Sequence, residues 1–416
     1  MKVLRLNAYF EPEITAASHL MNDIYEGLAV EHIKCKIITP EPTRGISKEV
    51  RKAYKKKRKE KLFKNYLEVE RFPMIKEESN PIQRAIRYML CSAFHYYKGI
   101  HEKNVDIIFS GSTPPTNGVI SALVAKKLSK KYKKKVPFVY ELQDIFPDSM
   151  VNAKLINKES LLWKIGRKLE DYTYAHTDKI IVPTKTMMDN LLDKGVNAEK
   201  IEVISNWIDV NTVKYIEPEN NFLYKKLNLT TNEFVVIYAG NIGEAQGADI
   251  ILKVANKLKE YSEIRFIIFG GGSNFEDFKK ESLSYNNVVV RKLLPLEYVS
   301  NVYSIGNSAL ITCKKGTGVA GMPSKTWSIM ACNVPIIASF DEESELAKTL
   351  EKSESGVCVE AENEEKLSNA IKASYFKWKK DKISLNSKGR EYVESNASRE
   401  KCVGRYIDIL KNYNSI

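Results

Sequence analysis

The sequence predicts an α/β protein built from two doubly wound, parallel-sheet domains. Its 416 residues exceed the roughly 250–300 that a single core usually reaches, so two domains of about 200 are expected. Short β-branched runs alternate with longer helical patterns, and they do so in two series separated by a polar break. The runs are near-continuously apolar, as in parallel strands covered by helices on both faces.

The first series reads as strands at "KVLRLNAY", "KCKIIT", "DIIFSGS", "FVYELQD", "KIIVPT" and "IEVISN". The break is "NNFLYKKLNLTTNE". The second series is "FVVIYAGN", "IRFIIFGGG", "NVVVRKLL", "SALITCKK" and "VPIIAS". Domain limits of 1–208 and 209–397 follow. The tail 398–416 reads as one more helix, expected to pack back onto the first domain.

Composition narrows the class. The hydrophobic fraction of 43% is ordinary for a soluble globular chain. Six scattered cysteines without a C-x-x-C argue against a zinc site or a disulfide framework and fit a reducing cytoplasm. No signal peptide is visible, and no run reaches the roughly 18–20 apolar residues of a membrane span. The net charge of +13 is uneven: Arg44–Lys64 holds eleven Lys or Arg against two Glu, and "KKLSKKYKKK" spans Lys126–Lys135. These are either solvated faces or patches that meet an anionic surface. Lipid headgroups attract such segments by about 1 kcal/mol per cation. Nucleic acid is the lesser candidate, because no nucleic-acid-binding motif accompanies the charge.

In doubly wound sheets ligands bind beyond the C-terminal strand ends, so the strand-end loops hold the candidates. In "GNIGEAQGAD", Gly240, Gly243 and Gly247 permit close backbone approach, and the helix that follows offers N–H groups to an anion; a plain glycine turn is the competing reading. In "GMPSK", Pro323 suits a first helical turn, Ser324 a cap, and Lys325 brings a cation to free N–H groups, a diphosphate-like arrangement. In the first half, "YFEPE" and "QDIFPDS" place Glu11, Glu13, Asp144 and Asp148 beyond strands, where a carboxylate orients a hydroxyl or takes a proton. For Asp148 a helix-cap role is the simpler reading. No D-x-D clamp, histidine metal spacing or G-x-S-x-G elbow is present.

Taken in order, "IYAGNIGEAQGADIILKVANKL", "FGGGSNFEDF", "NVVVRKLLPLEYVSNVYSIGNSALI" and "GMPSKTWSIMACNVPIIAS" resemble the retaining glycosyltransferases of family 4 (glycosyl transferases group 1). The likeness is to the bacterial branch that builds capsule, O-antigen or colanic-acid-type polysaccharides. "YFEPEITAASHLMNDIYEGLAVEHIKCKIITP", "ELQDIFPDS", "KIIVPTKTMMDNLLDKGV" and "KIEVISNWID" extend the resemblance over nearly the whole chain. It is weakest around Arg44–Lys64.

The resemblance implies a GT-B fold, with two Rossmann-like domains facing a cleft, metal independence, no cofactor and a nucleotide-sugar donor. Five positions depart from the family pattern. Two glutamates usual before the "MACG"-like segment are replaced by Ala320 and Ser328. Asn241 and Gln246 stand where Arg and Lys are common. Gln143 replaces a usual His beside the expected acid, Asp144. The positive charge for the diphosphate then falls to Lys325, with Lys292 or Lys314 as further sources.

The expectation is transfer of a sugar, of the N-acetylamino type, from a UDP-sugar to a lipid-linked saccharide. The protein would be cytoplasmic and peripheral at the inner face of the cell membrane, docked through its basic N-terminal half, with no nucleic-acid partner. Asp144 and Lys325 are the catalytic candidates. Gly240, Asn241, Gln246, Gly247, Lys292, Leu293, Gly321, Pro323, Ser324, Lys325 and Thr326 are the donor-side candidates. Glu13, Ala17, Gln143 and Asp144 are those on the acceptor side. A GT-B UDP-sugar 2-epimerase and a non-catalytic nucleotide-sugar-binding partner are the alternatives.

Overall fold

The computed structural model describes residues 1–13, 15, 18–77, 80–152, 156–319, 321–382 and 385–414. The chain divides into two compact units, Met1–Ser205 with Cys402–Ile416, and Asn206–Lys401.

The first unit carries strands β1 (Lys2–Leu6), β2 (Lys34–Pro40), β3 (Lys59–Leu62), β4 (Leu67–Phe72), β5 (Ile107–Gly111), β6 (Phe138–Glu141), β7 (Lys179–Val182) and β8 (Ile201–Val203). They form one sheet in the order β3-β4-β2-β1-β5-β6-β7-β8. Every pairing is parallel except β3 with β4. The central strands are buried throughout, for instance Leu4, Ile108 and Phe138, as expected for a sheet covered on both faces.

Two of these strands, β3 and β4, lie in or beside the basic stretch and are missing from the sequence reading. The stretch is ordered. It begins as a helix, Lys48–Lys56, whose first turn is capped by the Ser47 hydroxyl accepting from the Val50 N–H. In "LEVERF" the charged residues alternate with apolar ones, and the charges are consumed by pairing. The buried Lys36 ammonium meets Glu68 at 2.6 Å and Glu70 at 2.9 Å, and Lys98 meets Glu70 at 2.6 Å. Arg71 meets Glu60 at 2.8 Å. Burial opposes ionisation of Glu70, but the two ammonium groups outweigh it and hold its carboxyl down at about 2.

The tail helix, Arg399–Asn414, returns to the first unit. Tyr406 packs on Phe109, Lys411 pairs with Glu31 at 2.6 Å, and the Tyr413 hydroxyl donates to the Asp178 carbonyl at 3.1 Å.

The second unit carries β9 (Phe234–Asn241), β10 (Ile264–Gly271), β11 (Val288–Lys292), β12 (Ser308–Thr312), β13 (Ile336–Phe340) and β14 (Gly356–Glu360). Their order is β11-β10-β9-β12-β13-β14, parallel throughout. Side chains of β9 alternate between two buried layers. Val235, Ile237 and Ala239 enter one cluster, while Phe234, Val236 and Tyr238 enter the other. That is the two-residue period of a strand with helices on both sides. Truncating one such residue, Ile237→Ala for example, costs about 2–5 kcal/mol by lost transfer energy and the cavity left behind.

Candidate active site

In the second sheet β9 and β12 are neighbours although two strands, β10 and β11, separate them in sequence, and the order reverses there. That is the switch point at which an open α/β sheet leaves a crevice at its C-terminal edge. Three segments meet at this edge: the end of β9 with the loop to Gly247, the loop after β12, and the start of the helix Lys325–Ala331.

Lys325 opens that helix. Its Nζ lies 4.0 Å from the centre of the Tyr238 ring and directly over Gly240. A Cβ on Gly240 would come within 2.7 Å of that nitrogen, and the backbone there has φ +154°. A side chain there would push the lysine terminus aside, and the backbone conformation disfavours one whatever the space. No hydrogen bond or ion pair joins the Lys325 ammonium to a described residue. Burial is the cause of its displacement, and it lowers the amine to about 8. Lys325 is half-buried, and an ammonium drawn partly out of water without a counter-ion favours its neutral form and gains when an anion arrives.

The loop after β9 is braced from within. The Tyr238 hydroxyl donates to the Asn241 carbonyl at 2.7 Å, and the Thr312 hydroxyl donates to the Gln246 carbonyl at 2.7 Å. Asn241 Nδ2 donates to Gln246 Oε1 at 2.8 Å, so the two amides expected at the donor first hold each other. Asn241 Oδ1 lies against Gly272, at φ +116°, where a Cβ would come within 2.0 Å of it. Gly247 ends the single turn Glu244–Gln246.

Several expectations need correcting. The Lys314 ammonium pairs with Glu244, so it is not a free cation for a phosphate. Lys292, at the end of β11, is exposed. The Leu293 N–H is taken by the Gly270 carbonyl at 2.9 Å, which leaves that peptide only its carbonyl to offer. Pro323 precedes the helix instead of entering its first turn, and the Ser324 hydroxyl makes no capping hydrogen bond. Gly321 is exposed and donates to the Gly318 carbonyl at 3.3 Å. The Thr326 hydroxyl is buried without a hydrogen-bond partner among the described residues. The N–H groups of Gly316 and Gly318 point to the Asp341 carboxylate, both at 2.8 Å. That part of the Gly-rich loop is thus folded on an internal anion.

The first-unit candidates follow the ends of β1 and β6. Asp144 sits among Ser112, Tyr140, Phe146, Glu170 and Tyr174. Burial raises its carboxyl above the ordinary value, against the Ser149 hydroxyl and the Ile145 N–H, which favour the anion. Gln143 Nε2 donates to Glu141 Oε1 at 3.0 Å, and the other Glu141 oxygen holds Arg5 at 2.7 Å.

Glu13 is buried, and one of its oxygens accepts from the N–H groups of Thr43 at 2.7 Å and Arg44 at 2.8 Å. It pins the loop after β2 rather than presenting a carboxylate to solvent. Asp148 starts the short helix Asp148–Asn152 and is paired with Lys194 at 2.7 Å. Ala17 and Ala320 lie outside the described residues. His95 is packed, its Nε2 against the Asn7 carbonyl at 3.1 Å, and burial lowers it to about 4.

Two residues that shape the site escaped sequence reasoning: Tyr238, which reads as one more apolar strand residue, and Asp341, which reads as a surface acid. An aromatic residue two positions before the Gly-Asn that ends a strand was the available signal for Tyr238. Among the described residues no three His, Cys, Asp or Glu gather as a metal site. No described helix is long and apolar enough to cross a membrane.

Comparison with known proteins agrees with this architecture. Residues 18–212 match the model of Glycosyltransferase Family 4, and residues 219–391 match that of Glycosyl transferases group 1. The chain is 23% identical over 421 residues to the colanic acid biosynthesis glycosyl transferase WcaI of Escherichia coli, covering 99% of this chain and 100% of that protein. Among solved structures it is similar to sucrose-phosphate synthase of Thermosynechococcus elongatus, with a TM-score of 0.70 and 14% identity over 99% of this chain and 98% of that one. It is also similar to HepE of Anabaena in complex with UDP, with a TM-score of 0.69 and 16% identity over 99% of this chain and 100% of that one. These structures share the GT-B fold of two Rossmann-like domains.

Proposed function

Because the chain belongs to glycosyltransferase family 4, we propose that it transfers a sugar from a UDP-sugar to a lipid-linked saccharide during surface-polysaccharide synthesis, with retention of configuration and without a metal. The observation that carries this reading is the Lys325 ammonium, held without a counter-ion beside Gly240 at the switch point of the second sheet. Transfer breaks the bond between the sugar C1 and the diphosphate oxygen and forms one from C1 to the acceptor oxygen. The acceptor proton passes to the departing phosphate. Negative charge grows on that phosphate as the bond breaks, and a cation in a water-poor site stabilises it there more than in the ground state. Asn241, Gln246 and the backbone about Pro323–Thr326 complete the donor side. Asp144 orients hydroxyls on the acceptor side. HepE was solved with UDP and with UDP-glucose, and WcaI is named for colanic acid synthesis; both are in keeping with this reading.

The lipid-linked acceptor calls for a membrane surface, and the first unit has features suited to one. The helix Pro81–His101 follows β4 and the helix Leu161–His176 leads back to the start of β7, so both begin at the C-terminal edge of the first sheet, the edge that carries Asp144. Their leading turns expose Ile82, Ile86, Met89, Leu161, Leu162 and Ile165. The basic helix Lys48–Lys56 has no buried residue. Apolar insertion together with basic attraction is how a peripheral protein holds an anionic bilayer.

The test has two arms. A panel of UDP-sugars, each with a polyprenyl-diphosphate-linked saccharide, is assayed for product, whose anomeric configuration is read by NMR. Sedimentation with anionic and with zwitterionic vesicles reads docking. Failure of every UDP-sugar to stabilise the protein against heat would overturn the donor assignment. Equal sedimentation with both vesicle types, or with neither, would overturn the docking.

A further inference from the structure

We infer that Tyr238 is a positioning residue for the transfer reaction: its ring carries Lys325 in place of a counter-ion while its hydroxyl fixes the Asn241 peptide, so that one side chain sets both halves of the diphosphate seat. The inference rests on the reading of the second unit as the donor site.

Tyr238 lies on β9 with 1% of its surface exposed. Its ring faces Lys325 Nζ at 4.0 Å, inside the distance at which a ring quadrupole attracts a cation. Its hydroxyl donates to the Asn241 carbonyl at 2.7 Å. Asn241 in turn reaches Gln246 at 2.8 Å and lies against Gly272. The cation and the loop that face each other across Gly240 are thus held from a single point beneath it.

Other partly buried lysines in this chain are held differently. Lys36 has Glu68 and Glu70, and Lys194 has Asp148 and Glu170. A carboxylate beside Lys325 would neutralise it, and an incoming diphosphate would have to displace that carboxylate. An aromatic face stabilises the ammonium without occupying its hydrogen-bonding directions. The N–H bonds that point away from the ring remain available to phosphate oxygens. A loss of the ring therefore harms recognition of the second phosphate more than recognition of the nucleoside.

The test compares Tyr238→Phe, Tyr238→Leu and Lys325→Met with the wild type. UDP, GDP and ADP are each titrated beside the matching monophosphate, and folding is monitored by thermal unfolding. Tyr238→Leu is expected to weaken diphosphate binding about 5- to 30-fold while changing monophosphate binding less than about threefold. Tyr238→Phe keeps the ring and loses the hydroxyl with its bonds to Asn241 and Thr312. It should retain the diphosphate-to-monophosphate ratio, with a smaller loss in kcat.

Equal losses for diphosphate and monophosphate in Tyr238→Leu would mark a general packing role and overturn the inference. An unchanged ratio in Tyr238→Leu, with a fallen ratio in Lys325→Met, would overturn it while leaving the donor site standing. If the wild type binds none of the three diphosphates, the donor reading falls and the inference with it. Should Tyr238→Leu fail to fold, Tyr238→Phe and a Tyr238→Trp variant carry the comparison, the latter expected to keep the ratio.

Discussion

The Lys325 ammonium rests 4.0 Å from the centre of the Tyr238 ring, with no carboxylate of the described residues bonded to it. The protein bears the cost of an unpaired cation where its switch-point crevice opens. Such a cost is expected where a charged group serves a ligand instead of the fold.

Replacing Lys325 by Met should therefore separate function from stability. Transfer is expected to fall by about 10²–10³-fold, the usual effect of removing one preorganised group that stabilises developing charge. The free protein at pH 7 should become more stable by about 1 kcal/mol, because a half-buried ammonium is exchanged for an apolar chain of similar length. Kinetic assay and thermal unfolding of the same preparation check both halves.

The pH dependence has opposite signs for binding and for stability. In the folded protein burial lowers Lys325 to about 8 from its ordinary 10.5. Above pH 8 the free site loses its cation, so UDP affinity should decline by up to about tenfold per pH unit there. Over the same interval the unfolded chain still holds the proton that the folded chain has released. The stability cost of Lys325, present in full below pH 8, is therefore relieved as the pH climbs from 8 towards 10.5. Calorimetric titration of UDP between pH 7 and 9.5 reads the first effect. The difference in unfolding free energy between the wild type and Lys325→Met reads the second, since other groups cancel. A pH-independent UDP affinity would contradict the assignment.

Gly272→Ala should damage the loop that faces Lys325. The position has φ +116°, and a Cβ would stand 2.0 Å from Asn241 Oδ1 and 3.0 Å from the Ile242 carbonyl. The expected cost is about 1–3 kcal/mol of stability, with weaker UDP binding as Asn241 is displaced. Gly316→Ala is the control: φ is +83° there, but nothing lies within 4 Å of the added carbon. It should show the backbone strain without the loss of UDP.

Asp144→Asn tests the acceptor side. The carboxyl is raised by burial and steadied by the Ser149 hydroxyl and the Ile145 N–H. An amide keeps the size and loses the charge. Transfer should drop by about 10²-fold, the scale of one positioned acid–base or orienting group. UDP affinity should stay within about threefold, since Asp144 belongs to the first unit and Lys325, the proposed diphosphate ligand, to the second. Parallel transfer assays and UDP titrations distinguish this from a folding defect.

Much of this protein was legible along the chain. Near-continuous β-branched runs at "FVVIYAGN" and "IRFIIFGGG" became β9 and β10 because a strand buried on both faces needs apolar residues at every position. The tail pattern became the helix that returns to the first unit. "GMPSK" marked the segment that brings Lys325 to the edge of the second sheet, because Gly, Pro and Lys at a strand end restrict what that loop can do.

What the sequence could not determine was the partner of each charge. Lys314 and Lys325 stand eleven positions apart and read alike, yet one is neutralised by Glu244 and the other faces Tyr238. Glu13 reads as an exposed acid but is spent on two backbone N–H groups thirty residues away. In β4, Glu68 and Glu70 hid a strand, because the Lys36 and Lys98 that justify them come from other elements. Periodicity reports how much of an element is buried, and glycine or proline reports local backbone. Whether a buried charge is paired depends on contacts between segments far apart in sequence, so the tertiary structure alone decided that Lys325 faces an aromatic ring, with no carboxylate of the described residues bonded to it.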